Sequence, residues 1–267
     1  MDFAMRLLPS LCLLYALLPA PSLSAQTLPT GKDRFTLPEI FDLEWASDPQ
    51  ISPDGQRIVF ARSGFDVMKD HERSTLWIVN VDGSRLRPLL DPGREARSPR
   101  WSPDGARLLF VATVDEKPQI FVRWMDTGQE TNLTHLTEAP SGITWSPDGK
   151  WIAFTMFVPE TPAPLVDLPT PPKGADWGPP IKYIDQLSYR GDGAGYLRTG
   201  HRHVFVLPAE GGTPRQVTDG PFDDGAPTWT PDGSALLFSA NRHNHSSGVT
   251  PALRASLRAF IAASDRA

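Results

Sequence analysis

Ile51-Ser52-Pro53-Asp54-Gly55, Trp101-Ser102-Pro103-Asp104-Gly105, Trp145-Ser146-Pro147-Asp148-Gly149 and Trp229-Thr230-Pro231-Asp232-Gly233 are four copies of one phrase, and their reading decides the fold. Each is a turn with a physical mechanism. Proline presets φ at the first corner, aspartate tolerates the second, and glycine takes the position with φ > 0 that lets two antiparallel strands resume pairing. The Ser or Thr ahead of it can bond back to the turn backbone. A compact apolar run follows every copy: Arg57-Ile58-Val59-Phe60, Arg107-Leu108-Leu109-Phe110, Trp151-Ile152-Ala153-Phe154 and Ala235-Leu236-Leu237-Phe238. Branched and aromatic residues in runs of that length beside a Pro-Asp-Gly turn read as strands.

Spacing names the architecture. Pro53 to Pro103 is 50 residues, Pro103 to Pro147 is 44, and Pro147 to Pro231 is 84. Periods of about 40–50 residues holding four short strands are those of propeller blades. The remaining strands can be read between the turns. In the first unit Thr75-Leu76-Trp77-Ile78-Val79 is a third strand, Asp82-Gly83 its turn, and Arg87-Pro88-Leu89-Leu90 a short outer strand. A proline is tolerable on an outer edge, where fewer ladder bonds are needed. The second unit repeats the plan with Gln119-Ile120-Phe121-Val122, a turn near Thr127-Gly128, and Asn132-Leu133-Thr134. The expectation is an all-β chain, a partial β-propeller of about three and a half blades of four-stranded antiparallel sheet over residues 49–242.

Composition narrows the function classes. Twenty-one glycines and 28 prolines in 267 residues suit many short strands better than long helices. A hydrophobic content of 40% can fill a core, which excludes general disorder. Net charge is −5 with no block of like charges, so nucleic acid is not expected as a partner.

The N-terminus reads as an address. Arg6 gives a positive start, Leu7 to Leu18 an apolar run, and Pro19 to Ala25 small residues for cleavage after Ser24 or Ala25. Residues 1–25 are therefore expected to be a signal peptide, with export to the periplasm or the exterior. The run is shorter than the roughly 20 residues a membrane anchor needs, so no span is expected after cleavage. Cys12 is the only cysteine and lies in this run, so the mature chain would hold no disulfide and no thiol nucleophile. Residues 26–48 lead into the propeller. Thr36 and Glu39 form a capping-box pattern with Pro38 in the first turn, which predicts a short helix from Pro38 to about Trp45.

The interval between the third and fourth turns reads as an insertion in blade 3. Strand His203-Val204-Phe205-Val206-Leu207, the turn at Glu210-Gly211-Gly212, and Arg215-Gln216-Val217-Thr218 complete that blade. Residues 159–202 then form an excursion, rich in proline through Pro172 and carrying Trp177, Tyr183, Tyr189 and Tyr196. Long loops on rigid scaffolds often carry function, so these four aromatics are candidate peptide contacts. The alternative is that they cover their own blade. Residues 243–267 form an atypical tail, in which Thr250 and Pro251 could start a helix with Leu253, Leu257, Phe260 and Ile261 on one face.

Other candidates reduce to structure. Pro53, Asp54, Gly55, Pro103, Asp104, Gly105, Pro147, Asp148, Gly149, Pro231, Asp232 and Gly233 have turn roles that explain them fully. Trp101, Trp145 and Trp229 are expected to pack between adjacent blades. His201 with His203, and His243 with His245, share strand faces, but a zinc site wants three or four ligands, so no metal and no cofactor is expected. Asn132-Leu133-Thr134 and Asn244-His245-Ser246 fit the glycosylation acceptor pattern. No Gly-x-Ser-x-Gly occurs, so no serine sits on a nucleophile elbow and no catalytic residue is assigned.

"SDPQISPDG" (47–55), the repeated "WSPDG" turns and above all "LSYRGDGAGYLRTGHRHVFVLPAEGGTPRQVTDG" (187–220) resemble the N-terminal propeller of bacterial serine peptidases of the prolyl oligopeptidase family. The acylaminoacyl-peptidase and dipeptidyl-peptidase-like branch is the nearest in pattern, and the resemblance covers about residues 35–242. The SPDG turns are shared with TolB-type and WD-like propellers. The resemblance implies a propeller of about seven blades that caps an α/β-hydrolase domain with Ser, Asp and His. It also implies peptide substrates in the full-length form. No such domain follows in this sequence, so the chain is expected to be a noncatalytic propeller portion truncated ahead of it. The rival reading is a standalone TolB-like propeller that binds a protein in the cell envelope. TolB-like proteins carry an α/β domain before the propeller, for which residues 26–48 are too few. With open blade faces, the chain is also expected to self-associate.

Overall fold

The computed structural model describes residues 36–91, 93–161, 169, 172–178, 184, 189–192, 194–241 and 256–260. The expected signal peptide, Tyr183, the second histidine pair and Asn244 lie outside the described residues. The chain divides into two compact units, residues 1–40 and 41–267.

Thr36 opens a 3-10 helix over Leu37–Asp42, its N–H donating to the Glu39 carboxylate at 2.5 Å. The capping pattern is real but its helix is shorter than expected. Trp45 belongs to the first strand, because the chain pairs with its neighbour from Glu44 onward.

Blade 1 comprises β1 (Glu44–Ile51), β2 (Arg57–Asp66), β3 (His71–Asn80) and β4 (Arg87–Pro88). Blade 2 comprises β5 (Ala96–Trp101), β6 (Arg107–Val114), β7 (Lys117–Trp124) and β8 (Glu130–Asn132). Blade 3 opens with β9 (Ser141–Trp145) and β10 (Trp151–Pro159). A two-stranded ribbon, β11 (Arg190–Gly191) and β12 (Gly195–Tyr196), intervenes before β13 (Gly200–Pro208) and β14 (Arg215–Gln216) close the blade. Blade 4 holds β15 (Thr228–Trp229), β16 (Leu236–Ala240) and β17 (Ser256–Phe260). Strand order within each blade follows the chain, and all pairings are antiparallel. The fold is all-β, three four-stranded blades and a three-stranded fourth among the described residues.

The tail corrects the sequence reading. Residues 256–260 form a strand pairing with β16 from Leu236↔Phe260 to Ala240↔Ser256, where a helix was expected over Thr250 to Ala263. An exposed strand edge offers ladder hydrogen bonds that outweigh a short amphipathic pattern, since helix propensity is a weak prior. The propeller accordingly extends past Arg242, and at its other end it starts at Glu44, ahead of the boundary at 49.

First strands of successive blades lie side by side, β1 by β5, β5 by β9 and β9 by β15. Each of the first three is bulged three residues before the SPDG turn opens its last pair: Asp48, Ser98 and Gly142 hold φ of 49°, 57° and 59°. Three apolar clusters lie between the sheets. Val59, Ala61, Leu76 and Ile78 meet Leu108, Phe110 and Phe121 across blades 1 and 2. Leu109, Val111, Ile120 and Val122 meet Ile152, Phe154 and Phe205 across blades 2 and 3. Ala153, Val204 and Val206 meet Leu236, Phe238 and Ala240 across blades 3 and 4. Alternation along each strand thus feeds both neighbours, and burial at the seams is the main stabilising contribution.

Candidate functional site

Two ends of the blades carry the residues singled out in the sequence. At one end lie the four turns, built alike. The Ser52 hydroxyl donates to Asp54 at 2.5 Å and accepts from the Arg57 N–H at 2.9 Å. Asp54 in turn accepts from the Gln56 N–H at 3.0 Å. The same pattern joins Ser102 to Asp104 and Arg107, Ser146 to Asp148 and Trp151, and Thr230 to Asp232 and Ala235. The glycines sit at φ of 69–70°. The donated hydroxyl bond is the largest cause holding the carboxyls of Asp54, Asp104 and Asp148 below the usual carboxylate range. The Thr230 hydroxyl and the Ser234 N–H take Asp232 down to about 2. These aspartates are fully employed in bonding their own turns.

The tryptophans fasten one blade to the one before. Trp101 donates its indole N–H to the Gln50 carbonyl at 3.1 Å, and Trp145 to the Arg100 carbonyl at 3.1 Å. Arg57 lies 5.1 Å over the Trp101 ring and Arg107 4.8 Å over Trp145. Trp229 occupies the same place in blade 4, but its buried N–H has no hydrogen-bond partner among the described residues. The position of Arg57 and Arg107 is held in blade 3 by Trp151.

At the opposite ends of the blades, the excursion leaves blade 3 after Pro159 and rejoins it at Gly200. Its base is closed by the Glu160 N–H donating to the Thr199 carbonyl at 3.0 Å. Arg198 grips Glu138 with two hydrogen bonds of 2.7 and 2.6 Å and lies 4.8 Å over Phe157. That clamp holds the Glu138 carboxyl below its ordinary range. Tyr189 immediately precedes the β11–β12 ribbon and Tyr196 lies in β12, with ring centroids 6.2 Å apart and both about half exposed. Trp177 is 49% exposed. Among the candidate aromatics the structure therefore brings Tyr189 and Tyr196 together.

The first histidine pair has divided roles. His203 is buried and its Nδ1 lies 3.4 Å from the buried Asp224, while half-buried His201 has Nδ1 3.7 Å from the exposed Asp223. Among the described residues no three His, Cys, Asp or Glu side chains converge as metal ligands. No helix among them is long and apolar enough to cross a membrane. Thr134 of the first glycosylation pattern is buried, its hydroxyl bonding Gln119 at 2.9 Å, and Asn132 lies in β8.

Several contributors gave no signal that the turn phrase could reveal. Gln119 ties Thr134 and Leu136 to β7, a place taken in blade 3 by His203 with Asp224. Arg100 pairs with Asp48 at 2.7 Å across the first two inner strands. A proline directly after Asp48 and Ser98 would have marked the bulges.

Repeated SPDG turns, inner strands side by side and tryptophan fasteners define a β-propeller of the TolB type. The sequence pattern of the TolB beta propeller domain matches residues 21–159, and the chain belongs to that family. It is 29% identical over 211 residues to the uncharacterized peptidase YuxL of Bacillus subtilis, covering 79% of this chain and 32% of that protein. To dipeptidyl-peptidase 5 of Porphyromonas endodontalis it is 30% identical over 105 residues, 39% of this chain and 15% of that one. The acylaminoacyl peptidase of Pyrococcus horikoshii superimposes with a TM-score of 0.54 at 16% identity, over 74% of this chain and 28% of that one, a likeness of fold. The chain spans a third or less of the length of these proteins.

Proposed function

We propose that this chain is the noncatalytic propeller portion of an exported serine peptidase of the prolyl oligopeptidase type. In the full-length form it would admit and position short peptides for hydrolysis. The observation that supports this best is likeness to a peptidase along most of the chain, joined to an excursion that presents Tyr189, Tyr196 and Trp177 to solvent. Half-exposed rings offer apolar faces for peptide side chains at little cost in conformational freedom. Export to the periplasm or exterior follows from the leader-like N-terminus. Nucleophile, base and oxyanion hole are together required for acyl transfer, and no residue of this chain is assigned to them.

The experiment combines a serine-directed phosphonate with aminoacyl-nitroanilide turnover and fluorescent short-peptide binding. No labelling, no turnover, and peptide binding weakened at least tenfold by Tyr189→Ala with Tyr196→Ala are expected. Labelling of any serine, or peptide binding indifferent to both substitutions, would sink the reading. The TolB-type family supports a second reading, a protein-binding module of the envelope. Retention of one envelope protein with no affinity for peptides would favour it.

A further inference from the structure

Among the described residues the excursion of blade 3 is tied down in two ways. The first is backbone. The ladder of β10 and β13 runs from Trp151↔Pro208 to Pro159↔Gly200, and the Glu160–Thr199 hydrogen bond extends it by one rung. Gly200 lies so close to β10 that a Cβ there would strike the Val158 carbonyl and the Phe157 ring. The second tie is a side chain. Arg198 stands next to that rung, covers the Phe157 ring and grips Glu138, which lies in the link between β8 and β9. Blades 1 and 2 carry nothing comparable to hold, since their second and third strands are joined by residues 67–70 and by Asp115-Glu116.

Glu138 is anchored from below. Leu136, two residues earlier, is buried, and the Gln119 amide accepts from its N–H at 2.7 Å and donates to its carbonyl at 3.0 Å. Gln119 is itself buried in β7, so Glu138 stands on the core of blade 2. On the other side, Arg198 follows Leu197, whose N–H donates to the Tyr189 carbonyl at 2.8 Å, and Arg190↔Tyr196 is the next pair of the ribbon. A short path therefore leads from the Gln119 amide through the ion pair to the two rings. Exposed ion pairs on average contribute little. Here two parallel bonds use the planar fork of the guanidinium, its face is covered by Phe157, and the Glu138 side chain is only 19% exposed. Lys117 is the other cation whose charge reaches Glu138.

We propose that the Arg198–Glu138 pair is a latch that holds the Tyr189–Tyr196 rings in place, which makes Arg198 a positioning residue for the peptide site. Backbone rungs fix only the base of the excursion; the latch fixes the ribbon above it to blade 2. With the latch open, the rings would hold the receiving posture for a smaller share of the time, and apparent affinity falls by that share. The inference rests on the peptide-binding reading for the guest alone, because the latch can be read without any peptide.

Amide hydrogen exchange over residues 189–197, followed by mass spectrometry on the whole chain, tests the latch. Arg198→Ala and Glu138→Ala should each speed exchange there by about threefold or more, with residues 204–207 of β13 unchanged. Arg198→Lys keeps the charge but cannot grip with two parallel bonds, so it should fall between the parent and Arg198→Ala. The double variant should exchange no faster than the faster single one, because both side chains act through one contact. The Kd of a fluorescent apolar tripeptide should rise by about threefold or more in each alanine variant. Unchanged exchange over 189–197, additive effects in the double variant, Arg198→Lys equal to the parent, or a tripeptide Kd that Arg198→Ala leaves unmoved would each overturn the proposal. A parent chain that binds no tripeptide refutes the peptide-binding reading instead, and the exchange measurements still decide the latch.

Discussion

The seam between blades 2 and 3 and the seam between blades 3 and 4 are built from the same repeat and finished differently. In the first, Trp145 bonds the Arg100 carbonyl, Arg107 covers the ring, and the same guanidinium reaches the Gly149 carbonyl and Glu210 at 3.1 Å. In the second, Trp229 keeps an indole N–H with no acceptor among the described residues, and Trp151 takes the arginine position. The polar tie differs too. Gln119 reaches forward to Leu136 in neutral hydrogen bonds of 2.7 and 3.0 Å, whereas buried His203 faces buried Asp224. Apolar burial is common to both seams, so what separates them is whether the buried tryptophan N–H finds an acceptor among the described residues. An unpaired buried donor costs about 1–3 kcal/mol.

The largest effect expected is at the well-finished seam. Phe154 is fully buried and stacked on Phe205 at 5.6 Å, so Phe154→Ala should cost about 3–5 kcal/mol in urea unfolding. A loss under about 1 kcal/mol would mean the aromatic pair does not carry this seam.

Next in size is the close approach at the other seam. A Cβ on Gly142 would lie 2.6 Å from the Ala226 Cβ, at a φ of 59°. Gly142→Ala should therefore destabilise by roughly 2–4 kcal/mol, part backbone strain and part overpacking. Thermal melts decide it, and an unchanged midpoint would show that blades 3 and 4 can move apart without penalty.

The comparison itself is sharpest in a pair of matched substitutions. Trp145→Phe loses a real hydrogen bond and should cost about 1–2 kcal/mol. Trp229→Phe removes an unpaired N–H and should be neutral or slightly stabilising. Equal losses at the two sites would erase the distinction between the seams.

Smallest is a response to acid shared by all four turns. Their carboxyls are depressed in the folded chain, so the bonds they accept contribute fully above the unfolded value near 3.8 and are lost as pH falls. For Asp232 the loss should run from about 3.8 down to about 2. Stability followed from pH 6 to pH 2 in Asp232→Asn against the parent chain should converge at the acid end. A constant difference across that range would show that the carboxylate charge is not what the turn uses.

Much of the fold was legible in the residues because its signals are short-range. Pro-Asp-Gly fixes a turn within five positions, and Gly55, Gly105, Gly149 and Gly233 adopt the left-handed conformation read for them. The period of the turns located the blades, and the strand at 203–207 pairs with β10 across the long excursion. Tyr189 and Tyr196 were legible as exposed loop aromatics, but not as a contacting pair, since the ribbon that joins them is only two residues per strand.

Tertiary structure decided what depends on a neighbour. Asp115 and Glu116 both take positive φ in the two-residue link between β6 and β7, without a glycine to announce it, because the strand twist demands that turn. The bulge at Gly142 has no proline after it to mark it, unlike those at Asp48 and Ser98, and it lies where the inner strands of blades 3 and 4 run side by side. Trp101, Trp145 and Trp229 are alike in sequence, yet only the first two find an acceptor among the described residues, since the acceptor belongs to another blade. Ser256–Phe260 is a strand because β16 presents an edge to pair with, a choice between helix and strand that a pattern of five residues cannot make alone.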